Sequence, residues 1–292
     1  RSPLSTVLTL WGVATTTLRQ RMKPPFDLIS TDFDGTIFAE FEDPPVAPAL
    51  VDLIERLQAQ GVKWVINTGR EMSSLMESLA RAELRVRPDY LILVEREIYV
   101  HRNSRYVALD PWNARCSADH AELFERIAEE LPGMTRWIED NFPRTSIYSD
   151  VYSPFCLIAD SNEECDRIQE ALDARCEGVA DLAFVRNDVY SRLCHADYSK
   201  GTALARLADE LGLGSERTLA AGDHLNDIPM LSTRVARWLV APTNAVPAVK
   251  LRILEEGGHV SEFAHGYGVA AAIECLLETG EFPETKLNLH QT

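Results

Sequence analysis

Phe26-Asp27-Leu28-Ile29-Ser30-Thr31 reads as a buried strand, and Asp32-Phe33-Asp34-Gly35-Thr36 as the polar turn that leaves its carboxyl end. In open α/β sheets, ligands sit beyond the carboxyl ends of the strands, so chemistry is expected at such a turn. Two carboxylates two residues apart on a glycine-containing turn repel each other unless a cation or a proton lies between them. A solvated Asp-x-Asp-Gly turn is the alternative, since Asp and Gly are ordinary turn formers.

Working outward, the pattern alternates. A helix is predicted over 47–60, with Leu50, Leu53, Ile54 and Leu57 as its apolar stripe and Gly61 as its stop. A strand over 62–67 and a helix over 71–82 follow. This βαβα order implies a parallel sheet with helices on both faces. The rhythm breaks near Tyr99, where Ile98-Tyr99-Val100 and Tyr106-Val107-Ala108 flank a hairpin signal. Helices over 118–131 and 162–176 and strands over 145–148, 155–159, 183–186 and 189–194 then make an α+β block with antiparallel pairing. After Tyr198 the first rhythm resumes: helix 200–211, strand 218–222, helix 228–232, strand 236–240 and a final helix 268–278. The expected fold is α/β, a Rossmann-like parallel core formed by 22–98 and 196–292, interrupted by an inserted α+β cap over 99–195. Residues 1–21 are expected to be an appendage. Their Leu4, Val7, Leu8, Trp11, Ala14 and Leu18 fall at helical steps, and Met22 is a candidate natural start.

Three further segments sit where ligands would bind. Asn67-Thr68-Gly69-Arg70 ends the second strand, and its hydroxyl and backbone N–H groups suit an oxyanion, although Thr68 as a helix cap explains it too. Lys200 opens a helix, where a cation opposes the helix dipole unless an anion lies between them. In Gly222-Asp223-His224-Leu225-Asn226-Asp227, Asp227 as N-cap with Pro229 in the first helical turn accounts for half the segment and leaves Asp223 without a structural task. Thr68 lies 36 residues after Asp32, one βαβ unit, whereas Lys200 lies 132 after Thr68, room for a whole inserted block. All four segments therefore gather at one end of one sheet.

Composition bounds the partners. The 292 residues carry a formal charge of −16, with 29 Lys+Arg against 45 Asp+Glu, which argues against nucleic acid or an anionic membrane surface. An anionic substrate must be met by a few local cations or a metal. The six cysteines show no metal-like spacing and read as reduced thiols, so the cytoplasm is the expected compartment. A monomer or homodimer is expected.

Asp32-x-Asp34-Gly-Thr, Thr68-Gly-Arg, Lys200-Gly and Gly222-Asp223-x-x-Asn226-Asp227 resemble the four motifs of the haloacid dehalogenase-like hydrolase superfamily. The insertion looks like that of its Cof-type and sucrose-phosphatase-like branches. Thr243-Asn244-Ala245 and Gly266-Tyr267-Gly268-Val269 are similar to the Cof-type tail. Cof-type members usually carry Asn-Gly where this chain has Glu95-Arg96-Glu97, and Glu97-Ile98-Tyr99 is closer to the sucrose-phosphatase style. The resemblance implies a Mg²⁺-dependent phosphatase of a small phosphorylated metabolite, a sugar phosphate in particular. It implies Asp32 as nucleophile forming an aspartyl-phosphate and Asp34 as proton donor and acceptor. Thr68, Gly69, Lys200 and Asn226 would hold the phosphoryl group, and Arg70 would face lid or substrate. The metal would sit among Asp32, the Asp34 carbonyl and Asp223, with Asp227 in support. In the cap, Arg186, Asn187, Tyr190 and Arg192 are candidates to touch the leaving group. A mutase or phosphotransferase, a nucleotide-sugar transferase using Asp-x-Asp, and a non-catalytic binding protein are the rival readings.

Overall fold

A computed structural model describes residues 23–282; the predicted N-terminal helix lies outside them. The first half runs β1 (Leu28–Thr31), α1 (Pro48–Gln58), β2 (Lys63–Asn67), α2 (Met72–Arg81), β3 (Tyr90–Leu93), β4 (Glu97–Arg102) and β5 (Arg105–Ala108). Next come α3 (Trp112–Arg126), α4 (Leu131–Asn141), β6 (Ser146–Tyr148), β7 (Cys156–Ile158), α5 (Asn162–Cys176), β8 (Leu182–Asn187) and β9 (Tyr190–His195). The chain closes with α6 (Lys200–Glu210), β10 (Thr218–Ala221), β11 (Trp238–Ala241), α7 (Pro247–Glu255), β12 (His259–Val260) and α8 (His265–Thr279).

Eight strands form one sheet in the order β12-β11-β10-β1-β2-β3-β4-β5. Pairing is parallel from β12 through β3 and antiparallel from β3 through β5. Both faces are covered, as parallel sheets require. On one face Leu50, Leu53, Ile54 and Leu57 of α1 pack with Val269, Ile273 and Leu276 of α8 against Ile29 and Ile66. On the other, Ala203, Leu204 and Leu207 of α6 and Val249 and Ile253 of α7 cover Leu28, Val65 and Ala220. β1 is buried along its whole length between β10 and β2. Its carboxyl end therefore opens onto the ends of both neighbours, the crevice predicted from the motifs.

A second, four-stranded antiparallel sheet, β6-β7-β9-β8, has its own apolar cluster. Leu123 and Ile127 come from α3 and the turn after it, Ile138 from α4, and Ile168 and Leu172 from α5.

Several expectations change. The hairpin assigned to the inserted block, starting at 99, instead extends the large sheet: Tyr99 packs onto one face's core and Ile98 lies in the other. Its two-residue tip, Asn103-Ser104, has φ of 49° and 64°, the positive pair that a type I′ turn needs. β3, α4, α7 and β12 were not predicted, and α3 begins six residues before the expected 118. The helix expected at 228–232 is absent: a single 3₁₀ turn, Leu225–Asp227, takes its place. Asp227 is not an N-cap there. Its Oδ2 reaches back to accept the N–H groups of Asp223 (2.8 Å) and His224 (2.9 Å), tightening the turn before a helix can start.

Candidate active site

The first turn of α6 is fixed by a reciprocal cap. Ser199 Oγ accepts from Thr202 N, and Thr202 Oγ1 accepts from Ser199 N. Gly201 then lets the helix approach the 222–230 segment closely, since a Cβ at that position would lie 2.1 Å from the Pro229 carbonyl oxygen. This contact drives Lys200 into the interior. Its side chain is fully buried, and its Nζ donates to Asp32 Oδ1 (2.5 Å) and Asp227 Oδ1 (2.6 Å).

Asp32, Asp223 and Asp227 are all buried and offer oxygens within 4.8 Å of one another. Burial pushes the Asp32 carboxyl well above its usual range, and the nearby Asp227 charge adds to this against the opposing pull of Lys200. Burial, then Asp227, pushes Asp223 up to about 7, although Thr36 donates to it at 2.5 Å. For Lys200, burial works against the charge, but Asp227 and Asp32 outweigh it and hold the ammonium firmly protonated. One ammonium thus faces three carboxylates. The surplus negative charge and the all-oxygen donor set fit a hard divalent cation such as Mg²⁺. Asp227 is the least free of the three, because Lys200 holds one oxygen and two backbone N–H groups hold the other. Gly35 is the complement: its φ is +76°, and a Cβ there would stand 2.3 Å from Asp223 Oδ2. Only glycine both takes that backbone conformation and leaves room for the Asp223 carboxylate.

The Asp34 carboxylate does not join the triad. Arg70 grips both its oxygens, Nε to Oδ2 at 2.7 Å and Nη2 to Oδ1 at 2.6 Å. The guanidinium also donates to Ser74 and Ser78 and lies against the rings of Phe33 and Phe38. Arg70, expected to face lid or substrate, lines the cavity and divides its donors between Asp34, which it holds at both oxygens, and the two serines. Thr68 is buried at the end of β2 and accepts the Arg70 N–H at 3.1 Å. The Asn226 amide donates to Glu95 Oε1 at 2.9 Å, while its own Oδ1 is buried without a partner.

A cavity of about 700 Å³ opens above these groups. Asp34, Gly69, Arg70 and Asp223 form its floor, and Tyr148, Asn187, Tyr190 and Arg192 of the second sheet its roof. Floor and roof touch where the Asp188 N–H donates to His224 Nδ1 at 3.2 Å. Arg186, expected among the roof groups, does not line this cavity; it borders a smaller one beside Lys200, pairs with Asp166 and binds Asn162 and the Asp188 carbonyl, securing the start of α5. Another cavity, about 600 Å³ between α2 and the β4–β5 hairpin, has no carboxylate in its lining and is remote in character from this chemistry. Thr36 and Glu95 were not singled out from the sequence as site residues. Thr36 closes the Asp-x-Asp-Gly-Thr motif, and Glu95 follows the apolar run Leu91–Val94, whose strand character was the available signal.

Acids and a buried lysine at the carboxyl ends of parallel strands, roofed by a second α+β unit, define a haloacid dehalogenase-like hydrolase, and comparisons agree. The model of the sucrose-6F-phosphate phosphohydrolase family matches residues 25–276, and the chain belongs to that family. Family and fold make it a phosphatase of the superfamily. Its fold is like that of sucrose-phosphatase from Synechocystis, solved with sucrose and phosphate: TM-score 0.65 at 22% identity, covering 86% of this chain and 98% of that one. It is also like a haloacid dehalogenase-like hydrolase from B. subtilis: TM-score 0.58 at 22% identity, covering 86% and 100%. In sequence it is 29% identical over 255 residues to the HMP-PP phosphatase of Yersinia pseudotuberculosis, which is 77% of this chain and 86% of that protein. Among the described residues no helix is long and apolar enough to cross a membrane.

Proposed function

We propose that this chain hydrolyses the phosphate monoester of a small metabolite, a sugar phosphate, with Mg²⁺ as cofactor and Asp32 as nucleophile. The observation that carries the reading is the buried trio Asp32, Asp223 and Asp227 with Lys200 between two of them, beneath the cavity that Asp34 also lines. Asp32 and Asp223, with the Asp34 carbonyl, would hold the metal; when bound it supplies the positive charge that lets a phosphate dianion approach three acids.

The residues divide the work. An Asp32 oxygen forms a bond to phosphorus while the ester P–O bond breaks, and the leaving oxygen takes a proton from the Asp34 carboxyl. Asp34 then removes a proton from water, whose oxygen attacks the aspartyl-phosphate, releasing phosphate and restoring Asp32. Lys200 keeps Asp32 oriented, and Thr68 with the Gly69 N–H holds the phosphoryl oxygens. Arg70 positions Asp34 at the cavity wall. The second sheet, with α3, α4 and α5, acts as a lid, and its Asn187, Tyr190 and Arg192 meet the leaving group. Its polar lining favours a hydroxyl-rich one. Six free cysteines accord with a reducing compartment such as the cytoplasm.

The test is phosphate release from a panel of sugar phosphates with Mg²⁺ and with EDTA, for wild type and Asp32→Asn. Wild type should turn over with Mg²⁺ only, and Asp32→Asn should fall below about a thousandth of it while keeping the wild-type far-UV spectrum. An active Asp32→Asn protein would remove the covalent mechanism. Transfer of phosphoryl to a second sugar, without free phosphate, would mark a mutase instead.

A further inference from the structure

We propose that Glu95 is a specificity-determining residue of this site: its carboxylate fixes the Asn226 amide and sets a negative charge in the cavity wall. The site would then favour a phosphate ester of a neutral, hydroxyl-bearing group over one carrying a second phosphate. The proposal rests on the phosphatase reading and goes on to name the class of leaving group.

Four observations converge on this residue. Glu95 stands at the carboxyl end of β3, the strand beside β2, where the backbone turns through consecutive left-handed residues, Val94 at φ 44° and Glu95 at φ 69°. A β-branched residue and a glutamate are poorly suited to that conformation, which persists only when the surroundings enforce it. The Glu95 N–H donates to the Thr68 carbonyl, and the Val94 N–H to that of Arg70, so the turn is tied to the phosphate-binding loop itself. Secondly, the side chain is buried to 9% exposure yet reaches the lining of two cavities, the large one above the acids and a smaller one of about 170 Å³ beside Lys200.

Thirdly, the carboxylate decides which way Asn226 faces. Asn226 Nδ2 donates to Glu95 Oε1 at 2.9 Å, which leaves Asn226 Oδ1, buried and unpartnered, as an acceptor in need of a donor. Fourthly, the carboxylate lies against the loop meant for the phosphoryl group: a Cβ on Gly69 would stand 3.2 Å from Glu95 Oε1. Among the described residues, both arginines that line the large cavity already face carboxylates, Arg70 holding Asp34 and Arg192 lying 3.9 Å from Asp150. An acid beside the phosphate loop does nothing for binding one phosphate. It repels a second anionic group within a few ångströms, while its carboxylate offers an acceptor that a hydroxyl group satisfies.

The experiment compares glucose 6-phosphate with glucose 1,6-bisphosphate as competitive inhibitors, or competing substrates, of Mg²⁺-dependent p-nitrophenyl phosphate hydrolysis. Wild type should bind the monophosphate better. Glu95→Gln preserves shape and the bond from Asn226 but removes the charge, and should shift the ratio of the two inhibition constants about tenfold toward the bisphosphate. Glu95→Gly, which the left-handed backbone accepts readily, should shift it in the same direction. Glu95→Asp should restore the wild-type preference. A ratio within twofold of wild type in both neutral variants overturns the proposal, as does a wild type that already prefers the bisphosphate. A wild type that releases no p-nitrophenol with Mg²⁺ fails at the earlier step, the phosphatase reading.

Discussion

Lys200→Met isolates the ion cluster at the centre of the site. The substitution keeps the length and most of the volume of a fully buried side chain while deleting its charge. Two hydrogen bonds of 2.5 and 2.6 Å vanish, and the carboxylates of Asp32 and Asp227 are left facing each other without a cation. Removing one partner of a buried ion pair costs about 3–5 kcal/mol, mostly the penalty of the stranded charge. That corresponds to a fall in Tm of roughly 6–20 °C for a protein of this size. The loss depends on pH. Burial and Asp227 already hold the Asp32 carboxyl above its ordinary range, and losing the ammonium raises it further. A folded carboxyl with a raised pKa binds more protons than the unfolded one, so stability falls as pH climbs through that interval. The deficit of Lys200→Met should therefore be largest at pH 8 and shrink toward pH 5, where a proton replaces the lost cation. Urea unfolding of wild type, Lys200→Met and Lys200→Met/Asp227→Asn at both pH values tests this. The double variant should recover about 1–3 kcal/mol of the single variant's loss at pH 8. A single variant within about 0.5 kcal/mol of wild type at pH 8, or a double variant no better than the single, would refute the account of the cluster as a charge-starved one.

Three other outcomes follow from the same geometry. Mg²⁺ should raise Tm more at pH 8 than at pH 6, because at the lower pH a proton competes at Asp223, whose carboxyl sits near 7; equal shifts in a thermal melt would count against Asp223 as a ligand. Gly35→Ala should cost about 1–2 kcal/mol for the left-handed backbone and displace Asp223, so phosphate release should fall far more than stability does. Arg70→Lys cannot hold both Asp34 oxygens and reach Ser74 and Ser78; steady-state kinetics should show kcat falling with little change in KM.

Much of the site was legible because each motif sits at a strand end or helix start, and such positions announce themselves in the local pattern. Asp32, Thr68, Lys200 and Asp223 were found that way. What was missed is non-local. The partners Arg70 finds in Phe33, Asp34 and Phe38 belong to a segment whose approach no short window contains. The β4–β5 hairpin was read correctly as a hairpin and joined to the wrong unit, because alternation tells which residues are buried but not which sheet buries them. The unseen β3 hid Glu95: without that strand, its end could not be counted among the ligand-facing ends. The 3₁₀ turn Leu225–Asp227 overrode a helical pattern because the Asp227 side chain competes for backbone donors.

The strand β1 has neighbours of very different sequence distance, β2 shortly after it and β10 nearly two hundred residues on. On a translating ribosome one flank of this strand, buried along its whole length in the finished fold, must wait, open, until the segment Thr218–Ala221 emerges. In the meantime the intervening four-stranded unit, contiguous in sequence, can already have collapsed. The architecture thus exposes a sticky edge during synthesis, which a chaperone or swift release must cover.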